Sequence, residues 1–381
     1  MAAPVKLLCE LEEEILARLS PQSLLRFRRV CKKWNSLFTD KRFINNHMYH
    51  SRPQFIILTE SKIYSIDIIN HDINSIDPTI ELHELPFSNI PSQDRRMNYT
   101  TITTCDNLLV FNYRCWKNGT ALWNPWLRQV KWVVTKDNKF NVVSLGYDNS
   151  RPQKVYKILG FFYTLSKDQQ IFAIYECASQ ALKSIDTPEE DWQIAPFIKQ
   201  SKVSLNGNLY WITRKLETRF EYFIRSFDFS REVFKPVCLL PCQKNHHRDE
   251  LILAVYKGDR FSLLKKCYET RKIEIWVTKK KISNDDVDDG EGVVWINLMT
   301  LSTYNLPKQF NQVDHRISYF VYDKTLFLCF GDLGRDGIRV ACMYIVREDL
   351  CKKIQINSGI IQYCRHYVYT PSLISVPSFT G

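Results

Sequence analysis

The chain predicts a short all-α module followed by a larger all-β domain, and three observations lead there. Apolar residues recur at helical spacing between Leu7 and Met48 and lose that spacing after Pro53. From residue 52 onward, short β-branched and aromatic runs alternate with turn residues. Those runs return about every 50 residues, a repeat of structure rather than of letters.

The helices follow in order. Leu7, Leu8, Leu11, Ile15, Leu16 and Leu19 form one apolar stripe around the acidic turn Glu12 to Glu14. Ser20 is a ready N-cap, and Pro21 at the first helical position gives up only an N–H that has no partner there. In the run from Leu16 to Phe38, the spacing of Phe27, Val30, Cys31, Trp34, Leu37 and Phe38 puts all six on one helix face. Arg26, Arg28, Arg29, Lys32 and Lys33 take the other face. Asp40 can cap a third short helix with Phe43, Ile44, His47 and Met48 on its apolar side. Three such helices cannot bury this much apolar surface among themselves, and units of this size usually need a partner or a staple. Leu24, Phe27 and Leu37 fit a core or a contact equally. Leu8, Leu11, Ile15, Val30, Cys31 and Trp34 fit a partner-facing patch, an apolar surface rimmed by charge.

These residues resemble an F-box: Leu11, Glu14-Ile15-Leu16, Leu19, Ser23-Leu24, Arg26-Phe27, Val30-Cys31 and Trp34 match in order and spacing over roughly residues 5 to 50. Such motifs usually open with Leu-Pro, whereas Leu8 follows Leu7 here, so the first helical turn is expected to be less sharply set. The resemblance implies docking on a Skp-type adaptor, and through it on a cullin–RING ubiquitin ligase. The docking residues it implies are Leu8, Leu11, Ile15, Leu16, Val30, Cys31 and Trp34. The expected division is an F-box domain at 1–50 and a second domain at 52–381.

In the second domain, strand-like runs that open a unit begin near Phe55, Leu108, Ile158, Leu209, Phe261 and Leu326, separated by 53, 50, 51, 52 and 65 residues. A second strand follows each one, as at Ile63 to Ile66, Ala121 to Trp123, Phe172 to Tyr175, Ile224 to Phe227, Ile273 to Val277 and Ala341 to Val346. Turn signals such as Asp106-Asn107, Asn206-Gly207, Gly258-Asp259 and Asp323-Lys324 stand before the first strand. A period near 50 with about four strands per unit predicts a β-propeller of about six blades, with seven possible. The longer gap holds the acidic run at 284–292, which lacks the ligand alternation of a calcium loop because Val287 occupies a ligand position. Residues from Ile360 through Val376 return to a strand pattern, so the ring is expected to close against Phe55 to Asp67.

This region resembles the F-box-associated domain of the large plant F-box families. The match rests on Trp123-Asn124-Pro125 with Arg128-Gln129, Gly146-Tyr147-Asp148, Tyr156-Lys157-Ile158, and Val203 to Gly207 with Tyr210-Trp211. Ser226-Phe227-Asp228 with Glu232 and Phe234, Glu274 to Val277, and Tyr369 to Val376 complete it. The resemblance implies target recognition without naming a target. Local physics accounts for the same blocks. Asn124 closes a turn with its own side chain and Pro125 ends the ladder, while Asn206-Gly207 supplies a tight hairpin. Phe227 and Phe234 flank a polar turn and can fill the space between blades.

Composition narrows the function. The formal charge of +11 is scattered in ones and twos, which argues against nucleic acid as a partner. Twelve cysteines at irregular spacing sit mostly in apolar runs, Cys177, Cys329 and Cys342 among them. With Glu10 and Glu12 to Glu14 interrupting any leader, this predicts reduced thiols in the cytoplasm or nucleus and unused sequons at Asn98 and Asn118. No 18-residue apolar stretch occurs, so no membrane partner is expected. Cys238, Cys242, His246 and His247 lack zinc-finger spacing, and Pro241 stiffens the run, so no metal is expected. His247-Arg248-Asp249 lacks the other kinase elements, and no nucleophile elbow, P-loop or dinucleotide fingerprint occurs. The expectation is a non-catalytic substrate receptor of an SCF-type ligase without a cofactor, with Trp116, Trp126 and Trp192 as candidate exposed aromatics. A non-degradative F-box scaffold is the alternative.

Overall fold

The computed structural model describes residues 9–59, 62–68, 79–85, 101–113, 119–134, 140–151, 153–163, 170–186, 202–214, 221–242, 249–283, 293–302, 317–333, 339–348, 350–356 and 365–378. Four short helices open the chain: α1 (Cys9–Ala17), α2 (Pro21–Phe27), α3 (Lys32–Leu37) and α4 (Lys41–His50). Ser20 caps α2, its Oγ accepting from the Ser23 N–H at 3.3 Å, with Pro21 in the first turn. Asp40 caps α4, its Oδ1 accepting from the Arg42 and Phe43 N–H groups at 2.9 and 3.1 Å.

Four helices stand where three were expected, because the long run does not continue through Val30. Cys31 turns to extended backbone (φ −155°, ψ 159°) and caps α3, its Sγ accepting from the Trp34 N–H at 3.4 Å. A straight helix from Pro21 to Phe38 would be about 27 Å long, too long to set both ends on helices as short as α1 and α4. The break lets Leu24 and Phe38 reach the same core, where both are fully buried.

Six four-stranded antiparallel sheets follow among the described residues. The first blade contains β1 (Gln54–Leu58), β2 (Ile63–Ile68) and β3 (Ile80–Glu84). The second is β4 (Thr101–Cys105), β5 (Leu108–Tyr113), β6 (Gly119–Asn124) and β7 (Gln129–Val134). The third is β8 (Asn141–Asp148), β9 (Val155–Tyr163), β10 (Gln170–Glu176) and β11 (Leu182–Ser184). The fourth is β12 (Lys202–Leu205), β13 (Asn208–Arg214), β14 (Tyr222–Asp228) and β15 (Val233–Leu239). The fifth is β16 (Glu250–Tyr256), β17 (Arg260–Lys266), β18 (Lys272–Thr278) and β19 (Trp295–Ser302). The sixth is β20 (Ser318–Tyr322), β21 (Thr325–Leu333), β22 (Arg339–Arg347) and β23 (Leu350–Gln355).

The ring closes as expected. The last strand, β24 (Arg365–Tyr369), pairs antiparallel with β1 from Gln54↔Tyr369 to Leu58↔Arg365 and completes the first blade. The frame of the repeat differs from the sequence reading by one strand. The runs at Phe55, Leu108, Ile158, Leu209, Phe261 and Leu326 are the second strands of their blades, and the next runs are the third. Second strands have ladder partners on both edges and neighbouring blades on both faces, so they read as the most continuous apolar runs. The strands that open the blades face one another around the axis and include polar ones such as Thr-Ile-Thr-Thr-Cys. The turn signals sit between first and second strands, with positive φ at Asp106 (52°), Asn107 (54°), Asn206 (52°) and Gly207 (84°).

Blades lock through close backbone approach. A Cβ at Gly146 would lie 2.2 Å from the Phe229 ring, and the Tyr147 N–H donates to the Gly207 carbonyl at 3.1 Å. Phe227 and Phe234 fill the space between the third and fourth blades, with Phe234 at 5.3 Å from Phe172. Trp126 is a correction: only 9% exposed, it packs between the first two blades. Trp116, Trp192, Asn98, Asn118, His246, His247, Arg248 and the acidic run at 284–292 lie outside the described residues. Among the described residues, ten cysteines are free and no helix is long and apolar enough to cross a membrane.

Candidate functional site

The helical module presents an apolar stripe to solvent. Leu11 and Ile15, one turn apart on α1, are 48% and 54% exposed, and Val30 in the turn before α3 is 61% exposed. Cys31 beside it is exposed as well. Leu16 points the other way. At 3% exposure it joins Ala17, Leu24, Phe38 and Phe43 in the module's own core, so the seven-residue docking set named from sequence divides between surface and interior. Trp34 is half-buried, its ring 5.5 Å from Phe27, and Leu8 lies outside the described residues.

Acidic residues behind the stripe hold the helices together. Glu12 accepts from the Trp34 indole N–H with one oxygen and from the Lys33 ammonium with the other, joining α1 to α3. The hydrogen bond that Lys33 donates to Glu12 raises the lysine's pKa above its ordinary value. Glu13 meets Arg42 of α4 at 3.2 Å, and Glu14 meets Arg18 at 2.7 Å. The acidic turn is therefore an internal brace as well as a first-turn charge.

Two groups inside the module are desolvated. His47 places Nε2 2.9 Å from the Leu19 carbonyl, and burial lowers its pKa. Arg28 donates to the Phe38 carbonyl at 3.4 Å, and burial lowers its pKa too. Both interactions reach carbonyls that helix ends leave open, Leu19 just past α1 and Phe38 at the C-cap of α3.

The core of this module does not end with the helices. Leu373, which follows β24, is 1% exposed within it, and Leu127 from the turn between β6 and β7 packs beside it. Asn124 sets both. Its Oδ1 accepts from the Trp126 and Leu127 N–H groups at 3.0 and 3.2 Å, the side-chain turn expected from sequence. Its Nδ2 donates to the Ser372 and Ile374 carbonyls at 3.0 and 2.8 Å, which the sequence reading missed. The only local signal was the motif Trp-Asn-Pro, and nothing near it pointed to residues so far along the chain.

The cysteines and acidic residues of the fourth and fifth blades serve the fold. Burial pushes the Cys238 thiol up to about 12 and the Cys242 thiol up to about 11, which keeps both neutral. Among the described residues, no group of His, Cys, Asp and Glu could hold a metal ion. Asp249 is used structurally, 3.5 Å from the Lys265 ammonium and accepting from the Tyr268 N–H at 2.8 Å.

Two protein families match the chain. Residues 9–46 match the F-box domain, and residues 54–376 match the F-box associated beta propeller domain. The chain is 61% identical over 376 residues to Protein SUPPRESSOR OF NIM1 1 of Arabidopsis thaliana, covering 98% of this chain and 99% of that one. F-box protein At3g17710 of the same plant is 51% identical over 383 residues, covering 98% of each. The putative F-box/kelch-repeat protein At1g12170, also from Arabidopsis thaliana, is 42% identical over 382 residues, covering 97% and 98%.

Proposed function

The chain belongs to the F-box proteins that carry an F-box associated beta propeller domain, and on that premise we propose that it is the substrate receptor of an SCF-type ubiquitin ligase. Residues 1–50 are the docking unit and residues 52–381 the target-holding unit. The observation that carries this reading is the exposed stripe of Leu11, Ile15 and Val30, three large apolar side chains that lie outside the core beneath them. A Skp-type adaptor would cover that stripe, with Cys31 and the rim of Trp34 at its margin; Leu8, outside the described residues, remains in the proposed docking set. Leu16 supports the stripe from beneath. The adaptor links the receptor to a cullin–RING assembly in the cytoplasm or nucleus.

The receptor acts by proximity. Holding a target on the propeller raises the local concentration of its lysines beside a ubiquitin carrier supplied by other subunits. The chain itself supplies no nucleophile in this scheme, and no nucleic acid, membrane or cofactor takes part.

Capture by a purified Skp-type adaptor tests the reading. Wild type should bind, and Ile15→Asp with Val30→Asp should lose binding by at least about 100-fold, since each places a charge in an apolar contact. Equal binding by both proteins would end the docking claim. Accumulation of a bound partner when residues 9–46 are deleted would support the receptor role over a scaffold.

A further inference from the structure

We propose that the segment 370–378 is a strap that completes the F-box core, so that the helical module reaches its docking-competent form only when the propeller ring is closed. The helices that carry the stripe are nine, seven, six and ten residues long. Helices this short do not persist alone in water, and the module depends on tertiary contacts for its shape. Two of those contacts come from the propeller, Leu127 and Leu373.

A single side chain governs both. The Asn124 amide oxygen shapes the turn that carries Leu127, and the amide nitrogen grips the carbonyls on either side of Leu373. Further bonds fix the strap to the second blade. The Val376 N–H donates to Gln129 Oε1 at 2.9 Å, and the Ser372 hydroxyl donates to the Asn107 carbonyl at 3.3 Å. Ile374 and Val376 also pack against the cluster between the second and third blades.

The strap follows directly on β24, the strand that closes the ring against β1. If β24 is unpaired, Leu373 has no fixed position from which to enter the helical core. Closure, strap placement and completion of the module therefore form one chain of dependence. A molecule with an open or misassembled propeller would carry an intact F-box sequence but an incomplete F-box core. The consequence for adaptor docking rests on the proposed function above; the coupling of the two units does not.

Hydrogen exchange on the full chain tests the coupling. In Leu373→Ala, amides of α1, α2 and α4 should exchange at least about tenfold faster than in wild type, while those of β13, β17 and β21 stay within about twofold. Leu373→Met should restore wild-type protection, because it refills the site with a similar volume. Adaptor capture should fall in parallel with helix protection. Unchanged helix protection in both Leu373→Ala and Leu373→Asp would overturn the proposal. Equal acceleration in helices and strands would overturn it as well, because it would mean global loosening rather than a strap. Failure of the wild-type chain to capture the adaptor would remove the docking reading while leaving the exchange result to decide the coupling.

Discussion

The indole N–H of Trp34 donates to Oε1 of Glu12, joining the first turns of α1 and α3 behind the exposed Leu11 and Ile15. This bond sets the angle at which the two ends of the stripe, on α1 and at Val30, face solvent together. Glu12→Ala removes a charge-assisted acceptor from a half-buried donor. It should destabilise the helical module by about 1–2 kcal/mol. Glu12→Gln, which retains an acceptor, should lose less. The Trp34 contribution to fluorescence during denaturant unfolding would separate the two variants.

Neighbouring residues on α1 should answer substitution in opposite ways. Ile15 is half-exposed, so Ile15→Asp should change stability by no more than about 0.5 kcal/mol while abolishing adaptor capture. Leu16 is buried among Ala17, Leu24, Phe38, Phe43 and Leu373, so Leu16→Ala should cost about 2–4 kcal/mol. Thermal unfolding alongside adaptor capture reads both; a stable Leu16→Ala protein would contradict the core assignment.

A pH dependence follows from His47. Burial lowers its folded-state pKa below the unfolded value near 6.5, so the unfolded chain takes up the proton more readily. Stability is then fully present above about pH 6.5 and falls as pH drops below it. His47→Gln should flatten that slope between about pH 7 and 5. Denaturant midpoints of the two proteins at matched pH values would reveal it, and parallel curves would exclude His47 as the cause.

Gly146 tests the locking of the third and fourth blades. In Gly146→Ala, the new Cβ would lie 2.2 Å from the Phe229 ring and 2.5 Å from the Gly207 carbonyl oxygen. One contact is a ring fixed in the interblade core and the other is backbone, so neither yields readily. The variant should lose about 2–4 kcal/mol, at the upper end of overpacking costs. Calorimetry of the variant beside Gly258→Ala, a site with open space but positive φ, separates steric from conformational strain.

Much of the architecture was legible because its signals are local. Ser20, Asp40 and Asn206-Gly207 act on backbone groups within three residues, and the structure uses each of them that way. The near-50-residue recurrence survived because every blade must present a doubly covered second strand, whatever its letters. That same prominence shifted the frame by one strand, since the first strands carry polar residues that periodicity ranks lower. Leu16 illustrates the other limit: it sits one position from Ile15 in a stripe whose members look alike, and the direction of the core decided between them.

The sequence by itself determined the caps at Ser20 and Asp40, the tight turns, a propeller of about six blades and the presence of an apolar stripe too large for its module, because these depend on residues close along the chain. Tertiary structure decided the break at Cys31, the burial of Leu16 and Trp126, and the place of Leu373 in the helical core. Asn124 and Ser372 stand 248 positions apart, and no local propensity records such a pairing. What joins them is the closed ring, which brings the end of β24 beside the second blade and leaves Leu373 one apolar place to go.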